Sequence, residues 1–464
     1  MSILNDYIID YELVQNFSIN DLLDLEILPL KKYDFYTLIA ISNDDSISYL
    51  NLNYQTPVKT IKVKSNDILF HLNEYQKRFK IFDLAKKSIK SSVNQSFINE
   101  FFECLLDFAI SKNSSDIHFE TFDDALIIKY RIDGILQQFF KFELAFYPII
   151  SSVIKLYCKL DITQRRIPMN GRFSQEINAH KYDFRVSVMP TICGESIVMR
   201  ILNKNNVEKN LEDLGLDVHT LDIIKEKISY SQGMILVTGP TGSGKTTTLY
   251  SILKQLSGES KKIITIEDPV EYKLPNIQQI AINNEIGLTF NEILKNVLRQ
   301  DPDVLMIGEI RDKESLDIAI QASLTGHLVL ATLHTNDSIS TINRLLDLEA
   351  EPFLVASTLK TIISQRLVLK LCEHCKVLIS KDENVYDNFG CVKCNLTGYK
   401  NREVISELFV MDETISSMIC KQTDINKIIT YCKTTGFKTL FENGMLKVKK
   451  GVVNKKEIYK VTKY

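Results

Sequence analysis

The sequence predicts an α/β protein whose largest domain is a mostly parallel sheet covered by helices. Apolar strands alternate with helical segments from about residue 213 to 370, and a glycine-rich loop joins one of those strands to a helix. With 464 residues the chain is too long for one ordinary core, so we expect several domains. Hydrophobic residues make up 45% of the chain and charged residues 25%, which indicates a folded protein.

Changes in composition and periodicity divide the chain into six predicted segments. The first segment has no chemical motif, and the second has strand patterns at 125–131, 182–188 and 196–200 after a helix near 94–111. The segments are an N-terminal α+β module (1–85), a smaller α+β domain (90–205), a polar linker (206–212), the sheet domain (213–370), a cysteine-bearing zinc-knuckle insertion (371–400) and a helical region (401–464).

The bulk charge and hydropathy exclude several classes of function. The formal net charge of −2 argues against nonspecific nucleic-acid binding as the main role. The acidic N-terminus lacks a secretion-signal pattern, and no apolar run approaches the ~20 residues that span a bilayer. Nine cysteines, an odd number without a secretion signal, do not indicate a disulfide framework. We therefore expect a cytoplasmic protein that reaches a membrane only through partners.

The glycine-rich loop is a complete G-x-x-x-x-G-K-[ST] phosphate-binding motif. It follows the apolar run 234–237 and opens a helix, which is the context in which this motif binds phosphate. Its glycines let successive backbone N–H groups converge on a phosphate at the helix N-terminus. Lys245 adds a charge that reaches the β- and γ-phosphates, and Thr246 offers its hydroxyl to Mg²⁺. The predicted ATP-binding residues are Gly239, Pro240, Thr241, Gly242, Ser243, Gly244, Lys245, Thr246 and Thr247.

Three further strand patterns end in polar side chains. Glu309 and His334 each follow an apolar run, and a third run is followed by the acids Glu267, Asp268 and Glu271. The carboxyl ends of parallel strands meet at one edge of a sheet, where ligands bind in open α/β folds. A lone acid in such a position is more often a helix cap or a solvated loop residue. Because three strands bring polar groups to the edge that carries the phosphate loop, the pattern favours a site.

Two C-x₂-C pairs separated by the fifteen residues 376–390 predict a structural zinc site. Four thiolates complete a tetrahedral shell and leave no position for water, so the metal would hold the fold together. His374 lies inside the first pair and is expected to be a bystander, and a redox role for one pair is the alternative. The predicted ligands are Cys372, Cys375, Cys391 and Cys394.

Residues 113–410 resemble the secretion ATPases that drive type II secretion, type IV pilus assembly and related DNA-uptake machines. The family's Walker A, aspartate-box, Walker B and histidine-box signatures occur in order. Besides the phosphate loop, the matching segments are SDIHFE (115–120), YRIDG (130–134), LDI (160–162), RIP (166–168), GR (171–172), IEDPVEY (266–272), LRQDPD (298–303), GEIRD (308–312), TGH (325–327), LHTND (333–337) and TGYKNR (397–402).

The resemblance implies a RecA-like P-loop domain that binds ATP and Mg²⁺ and is preceded by a PAS-like α+β domain. Glu309 is similar to the family's Walker B acid, which together with Thr246 lies near Mg²⁺. Glu271 is similar to the aspartate-box glutamate that polarises the attacking water. His334 is similar to the histidine that senses the γ-phosphate, and with Lys245 these residues form the expected catalytic set.

Arginines from the family's preceding domain reach the nucleotide, often across a subunit boundary. A guanidinium there neutralises charge that develops on the γ-phosphoryl group. The matching positions, each also compatible with a surface ion pair, are Arg166, Arg172, Arg185 and Arg200. Three more groups for which the resemblance leaves a catalytic or a structural role open are Glu267, Asp268 and His327.

The resemblance also implies a homo-hexamer that acts on an inner-membrane platform protein and a cytoplasmic-face assembly protein, without direct nucleic-acid contact. The tetracysteine element is typical of the assembly-type motors, and such a protein is cytoplasmic and peripheral at the inner membrane through its partners. A DNA-translocating ATPase of the same superfamily and a nucleotide-binding scaffold without turnover are the alternatives. The sequence does not distinguish protein secretion, pilus extension and DNA uptake.

The chain departs from the family pattern in three places. The spacer between the cysteine pairs is shorter than in many relatives, and Asn170 stands where an acid is usual. The N-terminal module lacks the family's cyclic-dinucleotide signatures, so we expect no such ligand. Residues 27–30 faintly resemble the family's platform-binding module.

Overall fold

The computed structural model describes residues 3–53, 56–90, 95–203, 209–258, 260–380 and 385–462. The chain forms two compact units. Unit 1 comprises Met1–Asn205, Cys372–Lys376 and Asn388–Lys400, and unit 2 comprises Asn206–Leu371, Val377–Asp387 and Asn401–Tyr464. Within the described ranges, every helix is too short or too polar to cross a membrane.

Unit 1 begins with a small α+β layer. Its elements are α1 (Ile19–Asp24), β1 (Ile27–Lys32), β2 (Thr37–Ile41), α2 (Ser46–Asn53), β3 (Val58–Lys62), α3 (Ser65–Leu72) and α4 (Tyr75–Lys90). The strand order is β1–β2–β3, with β1 antiparallel and β3 parallel to β2. All five residues of β2 are buried, which explains why its sequence is an apolar run without alternation.

The second part of unit 1 is an antiparallel six-stranded sheet with two helices. Its elements are α5 (Gln95–Ser111), β4 (Ser114–Thr121), β5 (Ala125–Ile132), β6 (Ile135–Glu143), α6 (Tyr147–Tyr157), β7 (Met169–Ile177), β8 (His180–Thr191) and β9 (Gly194–Asn203), in the strand order β6–β5–β4–β9–β8–β7. Phe101, Leu105 and Phe108 recur at helical spacing on α5 and are fully buried. One hydrophobic core contains these residues together with Leu28 of β1, so the N-terminal layer and the sheet form one unit.

Unit 2 is built on a seven-stranded sheet in the order β12–β11–β13–β14–β10–β15–β18, with β16 and β17 as a separate pair. These strands are β10 (Gly233–Thr238), β11 (Ile263–Glu267), β12 (Gln278–Ala281), β13 (Val304–Ile307), β14 (Leu328–Leu333), β15 (Leu359–Leu371), β16 (Lys376–Ser380), β17 (Val385–Asn388) and β18 (Tyr399–Val410). From β12 to β15 the neighbours run parallel. Leu236 and Val237, consecutive in β10, belong to two different hydrophobic cores, so both faces of the sheet are covered.

Ten helices complete the described part of unit 2. They are α7 (Val218–Ile228), α8 (Lys245–Leu256), α9 (Phe290–Val297), α10 (Lys313–Leu324), α11 (Ser338–Asp347), α12 (Pro352–Thr358), α13 (Glu413–Cys420), α14 (Ile425–Thr434), α15 (Leu440–Lys449) and α16 (Lys455–Val461). Helices α9–α14 contribute to the core that contains Leu236, and α7 and α8 to the core that contains Val237. Helices α15 and α16 pack on β15 and β18 through a smaller third cluster.

The structure differs from the expected organisation in the C-terminal part. Residues 401–410, expected within the helical region, form most of β18 at an edge of the sheet. The cause is burial, because Val404, Ile405 and Phe409 fill the space between sheet and helices, and β-branched and aromatic residues suit a strand. In the expected linker at 206–212, positions 206–208 lie outside the described residues, and a 3₁₀ helix, Leu211–Leu214, begins at its end.

Candidate functional site

The carboxyl ends of four neighbouring strands form one edge of the unit 2 sheet. Strands β11, β13, β14 and β10 are adjacent and parallel, so the residues that follow them emerge on the same side. A cleft of about 700 Å³ opens there, within the usual range of small-molecule sites. The residues predicted from sequence that line it are Thr241, Gly242, Ser243, Gly244, Lys245, Thr246, Thr247, Glu267, Asp268, Glu271, Glu309 and His334.

Two glycines give the phosphate loop its shape. Gly239 has a φ of +145°, and a Cβ atom there would lie 2.6 Å from the carbonyl oxygen of Gln365. Gly244, with a φ of +91°, directly precedes Lys245, the first residue of α8. A side chain at either position would strain the backbone or displace its neighbour. The loop therefore presents backbone N–H groups at the start of α8, where the helix dipole favours an anion.

Two side chains of β15 brace the loops at this edge of the sheet, and sequence reasoning missed both. Gln365 donates from Nε2 to the carbonyl of Ser243 and accepts from the hydroxyl of Thr248, at 2.9 Å each. Arg366, which is 6% exposed, donates from Nη2 to the carbonyl of Asn336 at 2.6 Å. Both residues lie in a strand whose sequence predicts only a buried core element. Their contacts arise because β15 pairs with β10, which precedes the phosphate loop, and β14, which precedes Asn336, is the next strand of the sheet.

Lys245 lies against the loop that precedes it. Its ammonium donates to the carbonyls of Gly239 at 2.7 Å and Pro240 at 3.2 Å. Burial lowers the pKa of Lys245, the Arg366 guanidinium lowers it further, and the Glu309 carboxylate acts in the opposite direction. The lysine and the acid that follows β13 are thus close enough to interact electrostatically.

Glu309 is the centre of a cluster of charged groups. Its Oε2 accepts from Nε of Arg311 at 2.9 Å, and its Oε1 lies 3.5 Å from Nε2 of His334. Arg311 also lies 3.8 Å from the carboxylate of Asp268. The Glu309 side chain is 28% exposed, so it remains accessible from the cleft. Arg311 belongs to a motif identified in the sequence, but its contact with the acid two residues earlier appears only in the structure.

Glu267 differs from Glu309 because it is 4% exposed and fully engaged. Its Oε1 accepts from the hydroxyl of Thr265 at 2.6 Å and from Nε2 of Gln279 at 3.1 Å, and its Oε2 accepts from the hydroxyl of Tyr250. Burial raises the pKa of Tyr250, and the adjacent carboxylate raises it further. Of the two roles left open by the sequence, this geometry favours the structural one for Glu267.

The remaining polar candidates occupy different positions. Glu271 and Thr246 are exposed and line the cleft. His327 immediately precedes β14, whereas His334 immediately follows it. A six-residue strand is roughly 20 Å long, so His327 lies at the opposite edge of the sheet. There its Nδ1 is 3.0 Å from the carbonyl of Ala322.

The four candidate arginines lie in unit 1. Strand register pairs Arg172 with Arg185 and Arg185 with Arg200, which places the three in a row on one face of the sheet. The next position in the row is Asp116 of β4, which is 5% exposed and accepts from Nε of Arg200 at 3.0 Å. Arg166 is exposed and stands in the loop before β7.

The four predicted zinc ligands form one cluster. The Sγ atoms of Cys372, Cys375, Cys391 and Cys394 lie within 4.8 Å of one another, and three of the separations are 3.8–3.9 Å. A tetrahedral Zn²⁺ with Zn–S bonds of about 2.3 Å requires S–S separations of about 3.8 Å. The Cys394 sulfur also accepts from the N–H groups of Cys391 and Gly398 at 3.2 Å, which favours a thiolate. The donor set therefore fits a structural zinc ion.

The cysteine segments, predicted as a separate zinc element at 371–400, pack within unit 1. Asn66 of α3 donates to the carbonyl of Gly390 at 3.2 Å. Gln137 of β6 donates to the carbonyl of Asn395 at 2.8 Å. The element is thus anchored on both the N-terminal layer and the six-stranded sheet of unit 1.

Comparison with known proteins identifies one group of relatives. The family model described as type II/IV secretion system protein matches residues 91–460. The type II secretion system protein HxcR of Pseudomonas aeruginosa is 43% identical over 359 residues, which cover 77% of this chain and 76% of that protein. The type II secretion system ATPase E of Vibrio cholerae is 36% identical over 447 residues, which cover 92% of this chain and 88% of that protein. Among solved structures, the pilus retraction motor PilT with bound ADP is similar with a TM-score of 0.56 and 26% identity, covering 78% of this chain and 97% of that one.

Proposed function

The chain belongs to the family of type II/IV secretion system proteins, and from this membership we propose that it is a motor ATPase that powers assembly of a pilus or pseudopilus. The observation that carries the proposal is the single cleft lined by the phosphate loop, Glu271, Glu309 and His334. The Vibrio cholerae relative is named an ATPase, and the similar PilT structure holds ADP. A cleft of this composition has the parts that ATP hydrolysis requires.

Each group in the cleft has a distinct role in this proposal. The loop N–H groups and Lys245 bind the β- and γ-phosphates, which the position of Lys245 at the base of the loop supports. Glu271 polarises the attacking water, and His334 contacts the γ-phosphate while its neighbour Glu309 restrains its ring. Thr246 and Glu309 would hold Mg²⁺, which when bound neutralises charge on the phosphate oxygens.

The row of arginines in unit 1 would supply positive charge to the γ-phosphoryl group, from the same subunit or a neighbouring one. The strand register places Arg172, Arg185 and Arg200 in one row, in which Asp116 accepts from Arg200. A guanidinium binds phosphate oxygens through charge-assisted hydrogen bonds, so a row of guanidinium groups suits an anionic γ-phosphate. Arg166, in the exposed loop before β7, would join them.

The proposed machine is a homo-hexamer at the cytoplasmic face of the inner membrane. The RecA-like domain at 213–370 hydrolyses ATP, and motion about the linker at 206–212 transmits each cycle to a membrane platform protein. The module at 1–85 and a cytoplasmic-face assembly protein connect the motor to that platform. The relatives named type II secretion system proteins support this assignment. The tetracysteine cluster, which suits a structural zinc ion, is consistent with an assembly-type motor.

The proposal is tested by ATP turnover of the Glu271→Gln variant. We expect kcat to fall by at least about a hundredfold while nucleotide affinity changes little, because the substitution removes the group that polarises water. Glu285→Gln is the matched control, since Glu285 is also an exposed acid of unit 2 but does not line the cleft. Equal activity of the two variants would reject the assigned role. Secretion, twitching motility and transformation assays of a deletion strain then identify the machine.

A further inference from the structure

One buried carboxylate of unit 2 holds the starts of two helices. Glu407 lies in β18 and is 3% exposed. Its Oε1 accepts from the N–H and the hydroxyl of Ser338 at 2.6 and 2.5 Å, and its Oε2 accepts from the N–H of Leu440 at 3.0 Å. Ser338 is the first residue of α11 and Leu440 the first residue of α15. A helix start carries unpaired N–H groups and partial positive charge, which a carboxylate satisfies.

Burial of the charged Glu407 carboxylate costs free energy, and the hydrogen bonds from the two helix starts offset part of this desolvation cost. Burial raises the pKa of Glu407, and the hydrogen bonds from Ser338 act in the opposite direction. Burial lowers the pKa of the nearby Arg366 guanidinium, and the Glu407 carboxylate acts in the opposite direction. A neutral side chain would avoid most of the desolvation cost, but it could not accept from both helices with two equivalent oxygens.

The start of α11 is also the end of the segment that carries His334. We call residues 334–337, between β14 and α11, the His334 loop. Arg366 holds this loop through the carbonyl of Asn336 at 2.6 Å, and Glu407 holds the residue that follows it. His334 in turn lies 3.5 Å from Glu309. A displacement of the start of α11 therefore changes the position of His334 relative to Glu309.

The other helix, α15, is bound along β18. Asn443 donates to the carbonyl of Ser406 at 2.7 Å, and Lys447 pairs with Glu403. Leu440 packs in the small third cluster and belongs to neither of the two main cores of unit 2. A load on α15 is thus transmitted to β18 at the position of the buried carboxylate.

We propose that Glu407 is a positioning residue that couples the His334 loop to the C-terminal helix α15, so that nucleotide binding in the cleft and displacement of α15 affect each other. The inference rests on the proposed function only in requiring that nucleotide binds in the cleft. Because the Glu407 carboxylate accepts hydrogen bonds from the first residues of both α11 and α15, a shift of either helix start displaces the carboxylate. Loss of the Glu407 charge should uncouple α11 from α15, and it removes no group from the lining of the cleft.

The first test is hydrogen exchange of the full-length protein with and without Mg-ADP. In the wild type, we expect Mg-ADP to slow exchange at the His334 loop and at the first turn of α15 together. In Glu407→Gln, we expect slowing at the His334 loop but less than a third of the wild-type effect at α15. The matched control is Glu457→Gln, because Glu457 is a buried C-terminal acid in α16 that pairs with Lys460. Retention of the wild-type response at α15 in Glu407→Gln would overturn the inference.

The second test is a double-mutant cycle on ATP turnover. We expect Glu407→Gln to lower kcat about tenfold with KM changed less than threefold. In a His334→Ala background we expect it to lower kcat less than twofold, because the residue through which it acts is gone. An equal effect in both backgrounds would show that Glu407 acts only through general stability and would overturn the inference.

Two safeguards keep the result interpretable. If Glu407→Gln does not fold, Ser338→Ala removes one of the three donors and keeps the carboxylate, and we expect the same changes at about a third of the size. Absence of any change in that variant would overturn the inference. Because exchange is measured without turnover, coupled exchange in a wild type that hydrolyses no ATP would support this inference while rejecting the proposed function.

Discussion

Substitution of Glu267 by glutamine tests whether the buried acid beside the cleft is structural. The carboxylate accepts three hydrogen bonds, from Thr265, Gln279 and Tyr250. A glutamine keeps one acceptor oxygen and places an NH₂ group where the second oxygen was. Its best orientation keeps the oxygen toward Thr265 and Gln279, so the charge-assisted bond from Tyr250 is lost and the other two are weakened.

Glu267→Gln exchanges one oxygen for an NH₂ group, and we expect a large loss in the free energy of unfolding. A hydrogen bond to a charged group contributes about 1.5–3 kcal/mol, and the weakened pair adds a smaller amount, so we expect Glu267→Gln to lower the free energy of unfolding by about 2–3 kcal/mol. Glu309→Gln breaks a more exposed pair with Arg311, so we expect a loss below about 1 kcal/mol. For a unit of this size the first change corresponds to a fall in Tm of roughly 4–12 °C.

The assay is differential scanning calorimetry of the two variants beside the wild type, with ATP turnover measured on the same preparations. We expect Glu267→Gln to lower the Tm of unit 2 more than Glu309→Gln does, and Glu309→Gln to lose more activity. The reasoning would be refuted if Glu267→Gln kept the wild-type Tm but lost turnover, since its carboxylate would then be serving the chemistry.

Three further predictions concern unit 1. Cys391→Ser should reduce bound zinc from one ion per chain to less than about a tenth of an ion, because three thiolates hold zinc weakly. Mass spectrometry of metals measures the zinc content, and an unchanged content would place the metal elsewhere. Burial and the Arg78 guanidinium lower the pKa of His71 well below its usual value, so the folded state favours the neutral imidazole. The free energy of unfolding should therefore fall by about 1.4 kcal/mol per pH unit below pH 6.5. Denaturation measured over a series of pH values should show that His71→Gln removes this slope, and an unchanged slope would contradict the role given to His71. Arg172→Ala and Arg185→Ala should each lower kcat at least about tenfold, whereas wild-type kcat in both would leave the row without a role in turnover.

Local patterns in the sequence predict the parts of the candidate site that depend on short spacing. The phosphate loop needs glycines at fixed offsets, and the structure shows Gly239 and Gly244 in conformations that a side chain would strain. The cysteine pairs also carry their geometry in their spacing, and Cys391 and Cys394 lie 3.8 Å apart as a shared zinc ion requires. In both cases neighbours in sequence are neighbours in the site.

Residues that act across the sheet could not be identified from sequence. Gln365 contacts the phosphate loop because β15 lies beside β10, and Arg366 contacts Asn336 in the segment that follows β14. Glu407 lies in a segment expected to be helical, and no pattern in the sequence predicts its contacts with two helix starts. The distinction between Glu267 and Glu309 also required the structure, because both acids follow buried strands and only their exposure and donors separate them.

The most direct test of the account is Mg²⁺-dependent ATP turnover of the purified protein beside its Glu309→Gln variant, with both sized by light scattering. The account predicts turnover by a wild-type hexamer and at least about a hundredfold less by a variant hexamer of the same mass. Equal turnover in the two proteins would contradict the assignment of Glu309. A wild-type hexamer that hydrolyses no ATP even with its platform partner would show that the protein is a nucleotide-binding scaffold.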